Sequence, residues 1–312
     1  MNILVYGAGA IGSLLIHFLV KSGNDVTVVA GRNYDFLREN GIVIRHYLQR
    51  KTTVDKVTVV KEPDKNTHYD AVFSVMQSQQ QRAVADSLAA INSEIIVLVG
   101  NNTEADELEK YILEKSLTKR VLFGFQNSAG HRENGITMCG RLPVTELVIG
   151  GLHAPADSED NKIISQIFSA KGYKVTWLDD MYGYYLCHMA EIMPYAFLSF
   201  ELNHELKKAS RKDIKRVMTA SHEMFEYLKG IGVKVMPPKE DEFYGGGIKS
   251  KAMFLLYFIM SRTVLGELML TDHCKNGADE MKIIDDFVQN LRAEKLGRAM
   301  PMWDSMRNSL RK

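Results

Sequence analysis

The feature that most narrows what this 312-residue chain can fold into lies at its amino end. There Asn2-Ile3-Leu4-Val5-Tyr6 runs without a break into Gly7-Ala8-Gly9-Ala10-Ile11-Gly12. The first run reads as a buried strand, and Ser13-Leu14-Leu15-Ile16-His17-Phe18-Leu19-Val20 beyond it as an apolar helix. Three glycines at this spacing do three different things. The first permits a tight bend, the second lets backbone N–H groups approach a diphosphate, and the third allows the helix to sit close on the strand. The diphosphate then lies at the positive end of a helix. A second strand over residues 25–30 follows on schedule. The pattern is therefore read as a dinucleotide-binding turn, with Gly7, Gly9, Ala10, Ile11 and Gly12 as its contacts.

The end of the second strand bears on which dinucleotide. A carboxylate there holds the ribose 2′-hydroxyl of NAD and repels a 2′-phosphate. This chain has Ala30-Gly31-Arg32-Asn33 instead. With no acid and a guanidinium able to grip phosphate in two-pronged fashion, Arg32 points to NADP(H).

A chain of 312 residues suits two domains, each with its own core. Its 46% hydrophobic and 25% charged residues are the composition of a soluble globular enzyme. Lys plus Arg (39) nearly balances Asp plus Glu (38), which argues against nucleic acid or an anionic membrane as partner and leaves a small-molecule substrate. Cys139, Cys187 and Cys274 are widely spaced, as expected of reduced packing residues in a cytoplasmic protein. The nine histidines show no metal-ligand spacing, so no metal is expected. The most apolar stretch, 252–260, is shorter than a membrane span and reads as a buried helix, with a homodimer contact near Phe254 as a further expectation.

Through the first half, apolar runs at 43–46, 71–76, 95–99 and 121–125 read as strands, with helices at 79–91 and 104–115 between the later ones. Connections of that kind are crossovers, so the sheet is largely parallel. Residues 135–139 and 146–149 are expected to pair as a β-hairpin, followed by a helix over 161–170 and a last strand over 173–177. Beyond about residue 179 the periodicity is helical, over 182–205, 210–229, 249–270 and 278–295. The fold class is thus α/β: a Rossmann-like, doubly wound, mainly parallel sheet domain at 1–178, then an all-helical carboxyl-terminal domain at 179–312.

This order of features resembles the ketopantoate reductase family, in which a nucleotide domain opening on G-x-G-[AG]-[IL]-G precedes an all-helical domain. Beyond the glycine motif the resemblance rests on Asp35-Phe36-Leu37-Arg38-Glu39-Asn40-Gly41 and on Val99-Gly100-Asn101-Asn102, where the family carries Q-N-G or H-N-G. Further support comes from Val121-Leu122-Phe123-Gly124 leading to Gly135, from Met269-Leu270-x-Asp272 with Glu280 beyond, and from Gly297-Arg298-Ala299-Met300-Pro301. It spans almost the entire chain.

The resemblance implies an NADPH-dependent reduction of a 2-oxo acid, ketopantoate: a hydride goes to the ketone carbon while a lysine ammonium protonates the growing alkoxide, and asparagines, a serine and a glutamate fix the substrate. Carried over by position, Asn101 falls beside the nicotinamide and Glu280 on the substrate hydroxyl. The lysine position, nine residues before Pro194, holds Tyr185. The two asparagine positions hold Met189 and Met193, the serine position Leu268, and the lysine after the fourth strand Gln77, which is kept as a cofactor contact. Apolar residues at these places suit a ligand without a carboxylate there, because burying an unpaired carboxylate is costly.

Each site residue has a competing structural reading. Tyr185 is a workable general acid, with His188 nearly one turn along to assist, or part of a packed aromatic and methionine face. Asn101 is a site residue at a strand's carboxyl end or a self-capping loop residue. Glu280 contacts substrate or stabilises a helix N-terminus. The segment 243–247, ending in three glycines, is a closing lid or a connector, and Lys249 and Lys251 beyond it either replace the lost positive charge or are solvated. Two function classes follow: an NADPH-dependent carbonyl reductase, or a sensor that keeps the cofactor cradle without turnover.

Overall fold

The computed structural model describes residues 1–311, apart from the side chains of His273 and Arg311. The chain divides into two compact units, Met1–Met181 and Tyr182–Lys312. The first unit begins with β1 (Asn2–Tyr6), α1 (Ala10–Lys21), β2 (Asp25–Val29), α2 (Tyr34–Asn40), β3 (Ile42–His46), β4 (Lys51–Asp55) and β5 (Thr58–Val60). It continues through β6 (Ala71–Val75), α3 (Ser78–Ala83), α4 (Ala85–Ala90), β7 (Ile95–Val99), α5 (Ala105–Lys115) and β8 (Arg120–Gln126). It ends with β9 (Ala129–Glu133), β10 (Ile136–Gly140), β11 (Thr145–Gly150), α6 (Ser158–Ile167) and β12 (Tyr173–Trp177).

The main sheet has the order β12-β11-β8-β7-β6-β1-β2-β5. From β5 to β8 every neighbouring pair is parallel; β11 then joins β8 antiparallel, and β12 joins β11 parallel. This is the doubly wound architecture read from the sequence, with strand order 3-2-1-4-5-6 in its parallel part. The runs at β6 and β7 are buried at every position, as continuous apolar strands covered on both faces must be.

Helix α1 is buried at eight consecutive positions, Gly12 to Leu19, so it needs cover on more than one side. The cover is a second, four-stranded sheet of order β4-β3-β10-β9. Strand β3, read as a member of the main sheet, belongs here, paired antiparallel with β4 and parallel with β10. The hairpin expected between 135–139 and 146–149 does not form. Residues 136–140 pair instead with β9 across Asn134 (φ 49°) and Gly135 (φ 82°), while β11 joins the main sheet beside β8. Two left-handed residues in a two-residue turn match the twist of a hairpin, so the local Asn-Gly turn wins over the longer connection. Single helices expected at 79–91 and 249–270 are also interrupted. The first breaks at Val84, which closes α3 and opens α4.

The second unit contains α7 (Met181–Glu201), whose first residue lies in the first unit, then α8 (Arg211–Gly230) and α9 (Gly247–Met260). Short turns α10 (Val264–Gly266) and α11 (Asp272–Asn276) follow, separated by a π-helical turn over Glu267–Thr271, and then α12 (Ala278–Glu294) and α13 (Pro301–Arg307). Ser210 opens α8 with a reciprocal capping box, its hydroxyl accepting from the Asp213 N–H while the Asp213 carboxylate accepts from the Ser210 N–H. Fully buried Trp303 meets Phe197 edge to face, with ring centres 5.2 Å apart. The helix expected to be buried over 252–260 is not covered by this chain alone: no residue of α9 is fully buried, and Leu255, Leu256 and Ile259 are about half exposed. The helix is apolar on more of its circumference than this chain covers. Among the described residues, no single helix is long and apolar enough to cross a membrane.

Between α1 and the second sheet lies a polar seam. His17 Nδ1 is 2.8 Å from the Asp55 carboxylate, and His46 Nδ1 accepts from Arg141 Nε at 3.1 Å while its Nε2 meets Thr53 Oγ1 at 2.8 Å. Burial, and then the Arg141 guanidinium, push the His46 imidazole down to about 3. The folded chain therefore refuses a proton that the unfolded chain accepts below about pH 6.5. Stability should fall by about 1.4 kcal/mol for each pH unit below that point until the folded-state value is reached. Urea unfolding at pH 7.5 and pH 5 should show about 2 kcal/mol more acid destabilisation in the wild type than in His46→Asn. Equal pH dependence in the two proteins would show that this imidazole is not held neutral.

Candidate functional site

The site grows from the carboxyl end of β1. Gly7 leaves the strand with φ +90° and donates its N–H to the Val29 carbonyl of β2 at 3.3 Å. A Cβ on Gly7 would stand 2.5 Å from the Val75 carbonyl oxygen of β6, and one on Gly12 only 2.1 Å from the Gly7 oxygen. Those two glycines let strand and helix close on each other. Around Gly9 nothing lies within 4 Å of the place a Cβ would take. Gly9 is also the N-cap of α1, with no side-chain cap and no acid in the first turn, so neither a cap nor a first-turn carboxylate competes for the positive end of the helix. Open space at the second glycine and close contact at the first and third is the arrangement a bound diphosphate requires. The residues present fit a dinucleotide.

Beside this turn, where the order of the sheet reverses between β1 and β6, a cleft of about 1030 Å³ opens. Its walls include Tyr6 at the end of β1 and Gly7 after it, Ala30 and Gly31 after β2, Lys61 and Lys65 after β5, and Val84 and Ser87 of the broken α3–α4 pair. A crevice at a switch point, outside the carboxyl ends of parallel strands, is where such sheets bind ligands. Tyr6 is held by a 2.7 Å hydrogen bond to Ser87 Oγ, and burial raises its phenol above the ordinary range, so it stays protonated. Asp86 is engaged by Lys115, whose hydrogen bond holds the carboxyl below its ordinary range, with Tyr111 adding to the effect.

The amino-terminal candidates all follow the carboxyl ends of parallel strands, β1, β2, β6 and β7. Arg32 is exposed in the turn between β2 and α2, next to Gly31 of the cleft wall. Gln77 is the half-buried N-cap of α3 and accepts from Gln79 Nε2 at 2.7 Å. Asn101 is buried just past β7, after Gly100 (φ +154°). Its neighbour Asn102 takes the structural part, with φ 39° and Nδ2 donating back to the Leu98 carbonyl at 2.9 Å. Gln81, which the sequence did not single out, binds the Met76 and Val99 carbonyls through Nε2 at 3.1 and 3.3 Å and so ties the ends of β6 and β7 together.

The remaining candidates lie in the second unit. Tyr185, Met189 and Met193 are buried along α7, Tyr185 meeting Tyr184 edge to face, and Leu268 is buried in the π-helical turn. His188 stacks on Tyr184, and its Nδ1 is 3.9 Å from Glu191. Glu280 stands half-buried in the first turn of α12. Lys249 is committed to Glu242 at 2.5 Å, so it is not spare charge, and Lys251 is exposed. Segment 243–247 is pinned at Tyr244, which is buried against Phe225 and meets the Tyr257 hydroxyl at 2.7 Å, while the three glycines after it are exposed. Tyr244 also reaches Glu191 at 3.4 Å. Burial and then the nearby Glu240 push the Glu191 carboxyl well up, toward the protonated form. No local pattern announces this cluster, because its members come from three separated segments. Among the described residues, no group of three or more His, Cys, Asp or Glu side chains is arranged to hold a metal ion.

Residues 3–146 match the family model described as ketopantoate reductase PanE/ApbA. No curated protein matches the chain. Solved structures match it over its length. A PanE/ApbA family ketopantoate reductase from Ralstonia eutropha JMP134 is 18% identical, covers 100% of this chain and 97% of its own, and has a TM-score of 0.74. The 2-dehydropantoate 2-reductase from Geobacter metallireducens GS-15 is 17% identical over 100% and 99%, with a TM-score of 0.72. D-mandelate dehydrogenase in complex with NADH and anilino(oxo)acetate is 18% identical over 100% and 97%, with a TM-score of 0.69. The resemblance read from the motifs is thus matched in sequence by the amino-terminal domain and in fold by the whole chain.

The two glycine geometries separate folding from binding. Gly12→Ala must displace backbone and should lower stability by about 2–3 kcal/mol in thermal or urea unfolding. Gly9→Ala meets no atom and should unfold within about 0.5 kcal/mol of wild type, yet lose at least about tenfold in NADPH affinity by calorimetry. Full affinity in Gly9→Ala would place the diphosphate elsewhere.

Proposed function

We propose that this chain, whose residues 3–146 carry the ketopantoate reductase PanE/ApbA domain, is an NADPH-dependent reductase of a carbonyl compound, a 2-oxo acid or related ketone. The observation that carries the reading is the open space at Gly9, set between two glycines packed against backbone and beside the switch-point cleft. A nicotinamide cofactor, when bound, supplies the hydride. The chain's part is to hold and orient. Main-chain amides of Gly9, Ala10 and Ile11 receive the diphosphate, and Arg32 favours the extra phosphate of NADP. Gln77 and Asn101, at the carboxyl ends of β6 and β7, fix the nicotinamide half.

Chemistry at the carbonyl needs a donor for the oxygen as it gains charge. In the position where the family keeps a lysine, Tyr185 is the candidate donor, with His188 on the same helix to assist and Glu280 to hold a hydroxyl of the substrate. At rest a phenol is neutral, so no ammonium has to be buried at this position; giving its proton to the alkoxide leaves a phenolate, which takes a proton back through His188 or from solvent before the next turnover. Apolar residues at the three positions where the family keeps polar ones, Met189, Met193 and Leu268, favour a substrate less polar than ketopantoate. One neighbour of the same fold holds NADH and anilino(oxo)acetate, which makes aryl-substituted oxo acids part of the panel to try.

A second reading rests on the same substitutions. With Met189 and Met193 fully buried, a protein that binds NADP(H) and responds to it without turnover also fits. Steady-state NADPH and NADH oxidation over 2-oxo acids, aryl oxo acids, ketones and imines decides between them: turnover supports the reductase, and a blank panel with tight NADPH binding supports the sensor. On a substrate so found, Tyr185→Phe should cut kcat at least about a hundredfold with NADPH affinity kept. Unchanged kcat would remove Tyr185 from the chemistry.

A further inference from the structure

The third parallel strand of the Rossmann order is the short β5, and what it places beside the end of β2 has no counterpart in the glycine motif. Val29 pairs with Val60 in parallel register, and the Ala30 N–H donates to the Val60 carbonyl at 3.0 Å. The chain therefore leaves the sheet at Gly31-Arg32 and at Lys61 side by side. Lys61 Nζ stands 5.1 Å from the centre of the Tyr34 ring, at the start of α2 and two residues beyond Arg32, and Arg38 approaches the same ring at 5.6 Å. An aromatic face steadies a cation without neutralising it. Among the described residues no ion pair involves Lys61, Arg32 or Arg38. Two acids line the cleft, and one of them, Asp86, is already taken by Lys115. Only Glu62 remains to offset the positive charge that Lys61 and Lys65 bring to this end.

We propose that Lys61 is a specificity-determining residue that, together with Arg32, binds a phosphate carried on the ribose of the adenosine half, so that preference for NADP(H) is set from two strands rather than one. The inference rests on the dinucleotide reading above and adds to it a residue and a ligand group. An arginine fork and a lysine point charge carried on adjacent strand ends suit a dianionic phosphate, and neither group gains as much from a neutral 2′-hydroxyl. A cation acting only at long range would instead strengthen every anionic nucleotide alike.

The test is calorimetric titration, at one ionic strength, of the full chain with NADPH, NADH, adenosine 2′,5′-bisphosphate and adenosine 5′-monophosphate. Wild type should prefer the member of each pair that carries the 2′-phosphate. Lys61→Met should weaken NADPH and the bisphosphate about tenfold while changing NADH and the monophosphate less than about twofold, and Lys61→Arg should keep most of the preference. An NADPH-to-NADH affinity ratio that stays put in Lys61→Met, or an equal loss for both, overturns the role of Lys61 and leaves the dinucleotide site standing. Wild type that binds neither NADPH nor NADH overturns the dinucleotide reading itself, and this inference with it. Thermal unfolding of each variant shows that the exposed substitution leaves the fold in place.

Discussion

Everything in the amino-terminal unit depends on how closely α1 approaches the end of β1. With a Cβ at Gly12 only 2.1 Å from the Gly7 oxygen, no other residue lets the helix begin where it does. That contact aims the free N–H groups of the first turn across the carboxyl edge of the parallel sheet, next to the reversal of strand order. It also buries α1 so deeply that one sheet cannot cover it. The second sheet, with its His17, His46, Asp55 and Arg141 seam, is the consequence. Binding geometry and fold come from the same three glycines.

What could be read in advance follows the range of the interactions concerned. The glycine turn, the buried strands at β6 and β7 and the helices α7, α8 and α12 of the second unit are local patterns, and these form; the long helix expected over 249–270 breaks after Met260. The membership of β3 and β10 in a separate sheet is a matter of long-range pairing, which periodicity does not carry. One local signal for it was present in Asn134-Gly135, whose two positive φ values close the β9–β10 hairpin. Strand β5, three residues long with two adjacent half-buried positions, is too short to stand out, yet it supplies the edge on which Lys61 sits. The break at Val84 has no proline or glycine to mark it.

The candidate site was legible to different depths in its two parts. The cradle was readable because its function is carried by backbone, and backbone needs leave glycines in the sequence. The candidates in the helical unit are side chains from separated segments with no motif of their own, so they came only by position from a family resemblance. The cluster of Glu191, Tyr244 and Tyr257 was invisible in that way. It pins segment 243–247 at Tyr244 although three of its residues are glycine. For α9, hydrophobicity reports a preference for burial without saying what supplies the cover, and this chain alone leaves Leu255, Leu256 and Ile259 half exposed.

The central claim is that main-chain amides at the start of α1 bind a dinucleotide diphosphate. The most direct measurement is an amide-resolved NMR titration with NADPH, following the N–H signals of Gly9, Ala10, Ile11 and Gly12. The account predicts saturable shifts concentrated at these amides and at the rim of the switch-point cleft. Saturable binding that leaves all four signals unmoved, or no saturable change anywhere in the spectrum, would contradict it.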